Sequence, residues 1–196
     1  MVKRPDCKNF ADLRARYRET VDYKVETRPG DLRLFVIAPH GGVIEKGTER
    51  VARAIAGTDL SLHVLEGIKP RANPRLHITS TDYDQPDALN LVAKCQIGLG
   101  IHGLGSTEPG DKIIRMGGLN EIRKTALATA LRAAGFQTVD APAGLNATDP
   151  ENICNRAIEH GVQLEMTQAL RDDLCSEAAT MAVFVKAVRS GMGVLP

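Results

Sequence analysis

The sequence predicts an α/β protein with a single domain in three layers, α/β/α, in which a mixed, largely parallel sheet lies between helices. Short apolar runs alternate along the chain with helical stretches, a pattern typical of this fold class. Several of these runs are apolar at consecutive positions, as expected of strands that are buried on both faces. A length of 196 residues fits one domain, so residues 1–196 are expected to fold together.

The predicted strands are short apolar runs that end at polar residues or glycines. The clearest is 32–38, which is apolar almost throughout and is followed by a proline, a histidine and two glycines. Further strands are predicted at 62–66, 76–79, 97–101, 112–116, 136–139 and 162–166.

The predicted helices have apolar residues three or four positions apart and recognisable ends. In the helix at 48–56, Thr48 is a candidate N-cap and Gly57 ends the helix. The helix at 120–134 has the clearest pattern and ends before Gly135, and one side of it is predicted to hold Ile122, Ala126, Ala130 and Leu131. Other helices are predicted at 9–17, 86–94 and about 176–188.

Composition excludes several classes of function. The formal net charge is only +1 and aromatic residues make up 4% of the chain, which argues against nucleic-acid partners. No apolar run approaches the roughly 20 residues that span a bilayer, so no membrane association is expected. The polar start of the chain predicts synthesis in the cytoplasm without a secretory signal, with host lysis as one route of release. The four cysteines are scattered and are expected to be free thiols.

Two of the predicted strands end in a histidine followed by glycine. His40 follows the strand at 32–38, and His102 follows the strand at 97–101. Glu45 lies five positions after His40, across Gly41 and Gly42. Parallel strands bring their carboxyl ends to one edge of a sheet, where chemistry is commonly located. Two imidazoles and one carboxylate are a hydrolytic zinc set that leaves a position for water, although buried histidines also serve only as core residues.

Two further side chains are candidates for this edge. Glu165, near the end of the last strand, is a candidate general base and acid, with a salt bridge to Arg171 as the structural alternative. His77 lies between two apolar residues, and three roles are open: a metal ligand in place of His102, a hydrogen-bond donor behind a ligand, or a substrate contact.

Two other motifs point to different chemistry. Gly98, Gly100 and Gly103 have the spacing of a dinucleotide-binding fingerprint, but no helix pattern follows them, and the fingerprint requires one. A cysteine nucleophile is a second option, but Cys95 and Cys154 have no basic partner nearby in the sequence.

Six separated blocks of the chain resemble the phage and bacterial poly-γ-glutamate hydrolases. These are small zinc enzymes whose fold is similar to a reduced carboxypeptidase A. The resemblance runs in the family's order from about residue 20 to residue 171, and no single block is decisive. The blocks are APHGGVIEKGTE at 38–49, LHITS at 76–80, IHG at 101–103, GGLN at 117–120, NICNR at 152–156 and GVQLEM at 161–166.

The resemblance implies that residues 1–196 form one zinc hydrolase domain acting on the γ-glutamyl amide bonds of poly-γ-glutamate, as in degradation of a capsule. It implies that His40, Glu45 and His102 bind Zn²⁺ and that Glu165 is the general base and acid. An arginine, Arg156 or Arg171, is expected to hold a carboxylate of this anionic polymer, and His77 is placed with the substrate contacts. The carboxypeptidases have a shorter His-to-Glu interval than the five positions found here.

Two other functions remain open at this point. The protein could be a zinc amidohydrolase of another amide, such as a peptidoglycan fragment or an acylated amino acid. It could also be a catalytically silent binding domain, in which the histidines only pack. The sequence does not specify the oligomeric state.

Overall fold

A mixed sheet forms the middle layer of the protein. The computed structural model describes residues 7–71, 73–105, 108 and 110–194, and within them seven strands are hydrogen-bonded into one sheet. The strands are β1 (Tyr23–Arg28), β2 (Asp31–Gly42), β3 (Leu60–Gly67), β4 (Ile97–Leu104), β5 (Ile113–Gly117), β6 (Gln137–Asp140) and β7 (Gly161–Thr167).

The order across the sheet is β1-β3-β2-β4-β7-β5-β6. The four central strands, β3, β2, β4 and β7, run parallel to one another. β1 at one edge and the β5–β6 pair at the other run antiparallel to their inner neighbours. The predicted mixed, largely parallel sheet is therefore confirmed, and the parallel centre brings several strand exits to one edge.

Helices cover both faces of the sheet, which confirms the three layers. Side chains of α2, α4, α5 and α6 belong to one hydrophobic core, and those of α1 and α3 belong to the other. The helices are α1 (Phe10–Arg16), α2 (Thr48–Ala56), α3 (Pro86–Val92), α4 (Glu121–Ala133), α5 (Gln168–Ser176) and α6 (Ala178–Gly191).

The central strand β2 sends alternate residues into the two cores. Leu34 and Val36 pack in the core beneath α2, whereas Phe35 and Ile37 pack in the core on the opposite face. All four side chains are fully buried. Because successive side chains of a strand point to opposite faces, burial on both faces accounts for the unbroken apolar run of the sequence.

The element predictions were wrong in three places. The segment 76–79 is not a strand: a short 3-10 helix covers Asn73–Leu76, and irregular chain follows. Leu76 and Ile78 are both buried in one core, so their alternation imitates a strand although the segment pairs with none. β1 was missed because it is a largely polar edge strand. The C-terminal helix predicted at about 176–188 is α6, and a separate helix, α5, precedes it and was not among the predicted elements.

Two details of the helices also differ from the prediction. The N-cap of α2 is Gly47, whereas the Thr48 hydroxyl donates to the carbonyl oxygen of Glu45 at 2.9 Å. In α4 the buried residues are Leu127 and Leu131, and Ile122 is 82% exposed. Ile122 is five residues from Leu127, about 140° around the helix, so both cannot face the core.

The three glycines with dinucleotide-fingerprint spacing lie within β4 and open no helix, which agrees with the sequence-based argument against a dinucleotide-binding motif. Two of them, Gly98 and Gly103, are explained by packing. A Cβ atom at Gly98 would overlap the carbonyl of Cys154, and one at Gly103 would overlap the guanidinium of Arg171.

As expected, no disulfide joins any of the four cysteines, all of which lie among the described residues. Within the described part of the chain, no helix is both long enough and apolar enough to cross a membrane. Residues 1–6, on which the expectation about a secretory signal depends, lie outside the described residues.

Candidate active site

A tight turn at the end of β2 brings His40 and Glu45 together. The backbone N–H of Glu45 donates to the carbonyl oxygen of His40 at 2.9 Å, which folds the chain back on itself. Gly42 has a φ of +66°, and a Cβ atom there would overlap the carbonyl of Gly67, so the turn requires glycine. The result is a distance of 3.0 Å between His40 Nδ1 and Glu45 Oε1.

His102 reaches the same point from the neighbouring strand, β4. Its Nδ1 lies 3.2 Å from His40 Nδ1 and 3.7 Å from Glu45 Oε2. The second carboxylate oxygen of Glu45 also accepts the backbone N–H of Gly103 at 2.8 Å. Side chains from the exits of two neighbouring strands, β2 and β4, therefore meet at the carboxyl edge of the parallel strands.

The hydrogen bonds of His40 show which of its nitrogens is available. Nε2 lies 2.7 Å from the carbonyl oxygen of Ile78. A carbonyl oxygen only accepts, so Nε2 carries the proton of the neutral ring and Nδ1 presents a lone pair. That lone pair faces the carboxylate of Glu45, so a proton or a metal ion between them would be stabilised. A metal-binding histidine typically donates its other N–H in this way.

The spacing of the donor atoms fits one small metal ion. Ligand atoms at about 2.0–2.1 Å from a tetrahedral zinc ion lie about 3.3 Å apart. The separation of the His40 and His102 Nδ1 atoms is 3.2 Å, and that of His40 Nδ1 and Glu45 Oε1 is 3.0 Å. Imidazole and carboxylate groups are also the ligand types that zinc accepts.

His77 offers an alternative third ligand. Its ring stacks on that of His40 with centroids 3.8 Å apart, and its Nε2 lies 3.9 Å from Glu45 Oε1. One ligand atom each from His40, Glu45 and His77 can be chosen so that all lie within 4.8 Å of one another. Two candidate sets thus share His40 and Glu45 and differ in whether His77 or His102 completes them.

The pKa values of three of these groups, His102, His77 and Glu45, favour the protonation states that a metal needs. The pKa of His40 is raised, because burial, which lowers it, is outweighed by the charge and hydrogen bond of Glu45, so a metal ion would replace the proton that these two side chains share. Burial lowers the pKa of His102 to about 4 and, together with the charge of His40, that of His77 to about 3, so both are neutral near pH 7. Burial would raise the pKa of Glu45, but the charge and hydrogen bond of His40 outweigh it and lower that pKa to about 2. Neutral imidazoles and an ionised carboxylate are the ligand forms.

Glu165 lies on β7 directly beside His102 in the sheet register. It is 7% exposed, and burial followed by the charge of Glu45 raises its pKa to about 8. Gln163 donates to Glu165 Oε1 at 2.9 Å. The sequence left open a salt bridge between Glu165 and Arg171, but among the described residues no ion pair joins the two.

The two arginines considered for the substrate are otherwise engaged. Arg156 donates through Nη2 to Glu151 Oε2 at 2.6 Å and through Nε to the carbonyl oxygen of the same residue. Arg171 is 3% exposed and donates to backbone carbonyls, among them that of Lys46 at 2.8 Å. A substrate carboxylate would have to displace these partners to reach either guanidinium.

The structure adds site residues that the sequence did not single out. Gln163 fixes Glu165 and is itself held by Asn152, whose side chain donates to it at 3.0 Å. Ser80 lies 3.3 Å from His102 Nε2. Gln163 had a signal in the sequence, because residues two apart in a strand share a face.

Fold and site together define an α/β protein with a candidate hydrolytic metal site at the carboxyl edge of a mixed sheet. Residues 7–184 match the family model described as poly-gamma-glutamate hydrolase. The chain belongs to this family, which confirms the resemblance seen in the sequence.

Known relatives agree with this membership. The chain is 35% identical over 172 residues to UPF0714 protein YndL of Bacillus subtilis, covering 85% of this chain and 65% of YndL. It therefore spans less than two thirds of that relative's length. A solved bacteriophage poly-gamma-glutamate hydrolase superposes with a TM-score of 0.89 and 27% identity, covering 96% of both chains. A zinc-free apo structure of YndL superposes with a TM-score of 0.87 and 29% identity, covering 96% of this chain and 97% of that one.

Proposed function

We propose that this protein is a zinc-dependent hydrolase of the γ-glutamyl amide bonds of poly-γ-glutamate. One observation carries the proposal: two imidazole nitrogens and a carboxylate meet at ligand spacing, with the buried carboxyl group of Glu165 on the next strand. Membership of the poly-gamma-glutamate hydrolase family supports poly-γ-glutamate as the substrate. The existence of a zinc-free apo form of YndL supports zinc as the metal.

His40, Glu45 and His102 are the proposed ligands. Bound zinc would supply a Lewis acid that polarises the scissile carbonyl group and makes water acidic. The second nitrogen of His40 is held by Ile78, and one carboxylate oxygen of Glu45 is held by the N–H of Gly103, so both side chains are oriented before any ion binds.

Glu165 is the proposed proton carrier. It would accept a proton from the attacking water and donate it to the leaving amine. A carboxyl group whose pKa lies near neutrality can act in both directions at physiological pH, and a cation beside Glu45 would lower the pKa of Glu165 from its value of about 8. The hydrogen bond from Gln163 fixes the orientation of the carboxyl group.

Substrate recognition requires a cation for the free α-carboxylates of the polymer. Arg115 fits this role best, because it lies opposite Glu165 in the antiparallel β5–β7 pair, and opposite residues point to the same face. It is partly buried, and its neighbours in the strand, Ile114 and Met116, are buried in the core on the opposite face of the sheet. Within the described part of the chain, Arg115 makes no hydrogen bond or ion pair. His77, beside Glu45, is the second proposed substrate contact.

Digestion of purified poly-γ-glutamate tests the proposed activity. We expect the zinc-loaded protein to shorten the polymer on size-exclusion chromatography, activity to disappear with a chelator, and zinc to restore it. Polyglutamate with α-linkages is the matched control and should keep its length. Cleavage of small acylated amino acids with an unchanged γ-polymer would favour the alternative amidohydrolase, and the absence of any hydrolysis would favour a binding domain.

Replacement of Arg115 tests the substrate contact. We expect Arg115→Ala to raise KM for the polymer by about tenfold or more, as lost hydrogen bonds to a charged group of the substrate would. Zinc affinity should be unchanged. Arg156→Ala is the matched control, since Arg156 is paired with Glu151, and it should leave KM unaltered. A normal KM in Arg115→Ala with a raised KM in Arg156→Ala would restore the role first expected for Arg156.

A further inference from the structure

The guanidinium of Arg171 joins separate parts of the chain through their backbones. Nε donates to the carbonyl oxygen of Lys46 at 2.8 Å, and Nη1 donates to those of Leu104 at 3.2 Å and Met166. Nη2 donates to Gln168 Oε1 at 2.7 Å, within the first turn of α5. The donors of a nearly inaccessible arginine are thus directed at protein oxygens.

The three carbonyl groups share one property: each lies one or two residues beyond a proposed site residue. The pairs are Glu45 and Lys46, His102 and Leu104, and Glu165 and Met166. One planar group therefore touches the exits of β2, β4 and β7 at once, immediately behind the site. A guanidinium is suited to this task, because its donors point outward in a fixed plane.

Gly103 shows that the chain makes room for this arrangement. A Cβ atom at Gly103 would overlap the guanidinium of Arg171, so the arginine packs flat against the backbone at this position. The N–H of the same residue donates to Glu45 Oε2 at 2.8 Å. The position of the arginine is thereby linked to a hydrogen bond that orients a proposed metal ligand.

We propose that Arg171 is a positioning residue that sets the relative placement of Glu45, His102 and Glu165. The inference rests on the proposed hydrolase function for its kinetic consequence, but its structural content stands apart from the substrate. Arg171 acts by holding the three backbone segments together and does not touch the reacting atoms. It replaces the expectation that this arginine binds a substrate carboxylate.

The variant Arg171→Lys tests the proposal, because it keeps the charge and removes the planar fork. We expect kcat to fall by about 10- to 100-fold, as a misplacement of about 1 Å can cause, with little change in KM. Zinc affinity should fall by about 10- to 100-fold, as when groups that orient ligands are removed. Amide hydrogen exchange at Gly103 should become faster, because its hydrogen bond to Glu45 is loosened.

A second buried arginine provides the matched control. Arg189 on α6 is 7% exposed and donates to Asp59 Oδ1 at 3.0 Å and to the carbonyl oxygen of Ile55, away from the site residues. Arg189→Lys should lower the melting temperature while leaving kcat, zinc affinity and Gly103 exchange unchanged. If Arg171→Lys does not fold, Gly103→Ala, which displaces the guanidinium without removing it, is measured in the same way.

The outcomes separate this inference from the proposed function. If the wild-type protein does not cleave the polymer, the hydrolase proposal fails, but zinc affinity and Gly103 exchange still test the role of Arg171. Wild-type exchange at Gly103 and wild-type zinc affinity in Arg171→Lys would overturn the positioning role. A raised KM with unchanged kcat would overturn it in favour of substrate binding. Partial recovery of kcat in Arg171→Ala on adding guanidinium ion would support the positioning role.

Discussion

Replacing Glu165 by glutamine is expected to lower kcat by about 10²- to 10⁴-fold, the range that a general acid–base group contributes. Glutamine has nearly the same shape and can still accept the hydrogen bond from Gln163, but it cannot take up a proton. The measurement is the initial rate of poly-γ-glutamate hydrolysis at saturating substrate. Zinc content should remain that of the wild type, because Glu165 is not a proposed ligand.

The melting temperature and a surface variant serve as controls for this experiment. The raised pKa of Glu165 means that folding disfavours its ionised form, so Glu165→Gln should not lower the melting temperature at pH 8 or above. Glu159→Gln is the matched control. Glu159 lies two residues before β7, is exposed, and accepts a hydrogen bond from the side chain of Gln96. A kcat for Glu165→Gln within tenfold of the wild-type value would remove Glu165 from proton transfer.

Replacing His102 by alanine is expected to weaken zinc binding by more than about 100-fold, beyond the range typical of residues that only orient ligands. The reason is the 3.2 Å spacing of the His40 and His102 Nδ1 atoms, which matches two ligands of one ion. His77→Ala should lower zinc affinity by no more than about 10- to 100-fold, because the His77 ring stacks on His40 and would only orient that ligand. Competition titration against a zinc chelator measures both affinities.

A third histidine variant controls for general effects on the fold. His63 is fully buried and contacts Thr27 and Tyr83 at 2.8 Å each, so His63→Gln perturbs the core without touching the site. It should bind zinc as the wild type does. The reverse order of affinities, with His77→Ala losing zinc and His102→Ala retaining it, would assign the third ligand to His77.

The central strands could be predicted because burial on both faces leaves an unmistakable apolar run. β2 and β4 show it, whereas in β7 apolar residues alternate with Gln163 and Glu165. The rule that parallel strands share a carboxyl edge then places His40, His102 and Glu165 together. β1 escaped prediction because an edge strand needs no such run. The segment 76–79 was wrongly predicted as a strand, because Leu76 and Ile78 are buried in a core although the segment does not join the sheet.

The partners of the charged side chains could not be predicted, because they depend on distances between segments that are remote in sequence. Arg171 was considered as a substrate contact, yet the carbonyls of residues 46, 104 and 166 surround it. Arg115 attracted no attention, because its position opposite Glu165 follows from strand pairing between β5 and β7. The same limit applies to His77 and His102, which the sequence left as alternatives.

By itself the sequence determined the fold class, the family and the residues that carry the proposed chemistry, because apolar periodicity and local motifs are written in consecutive residues. Only the tertiary structure decided how those residues are held: the turn that joins His40 to Glu45, the hydrogen bonds that orient them, and the arginine behind them. Apart from the turn itself and the hydrogen bonds of Arg171 to Met166 and Gln168, these features are contacts between residues more than 35 positions apart. Their geometry exists only once the sheet has formed.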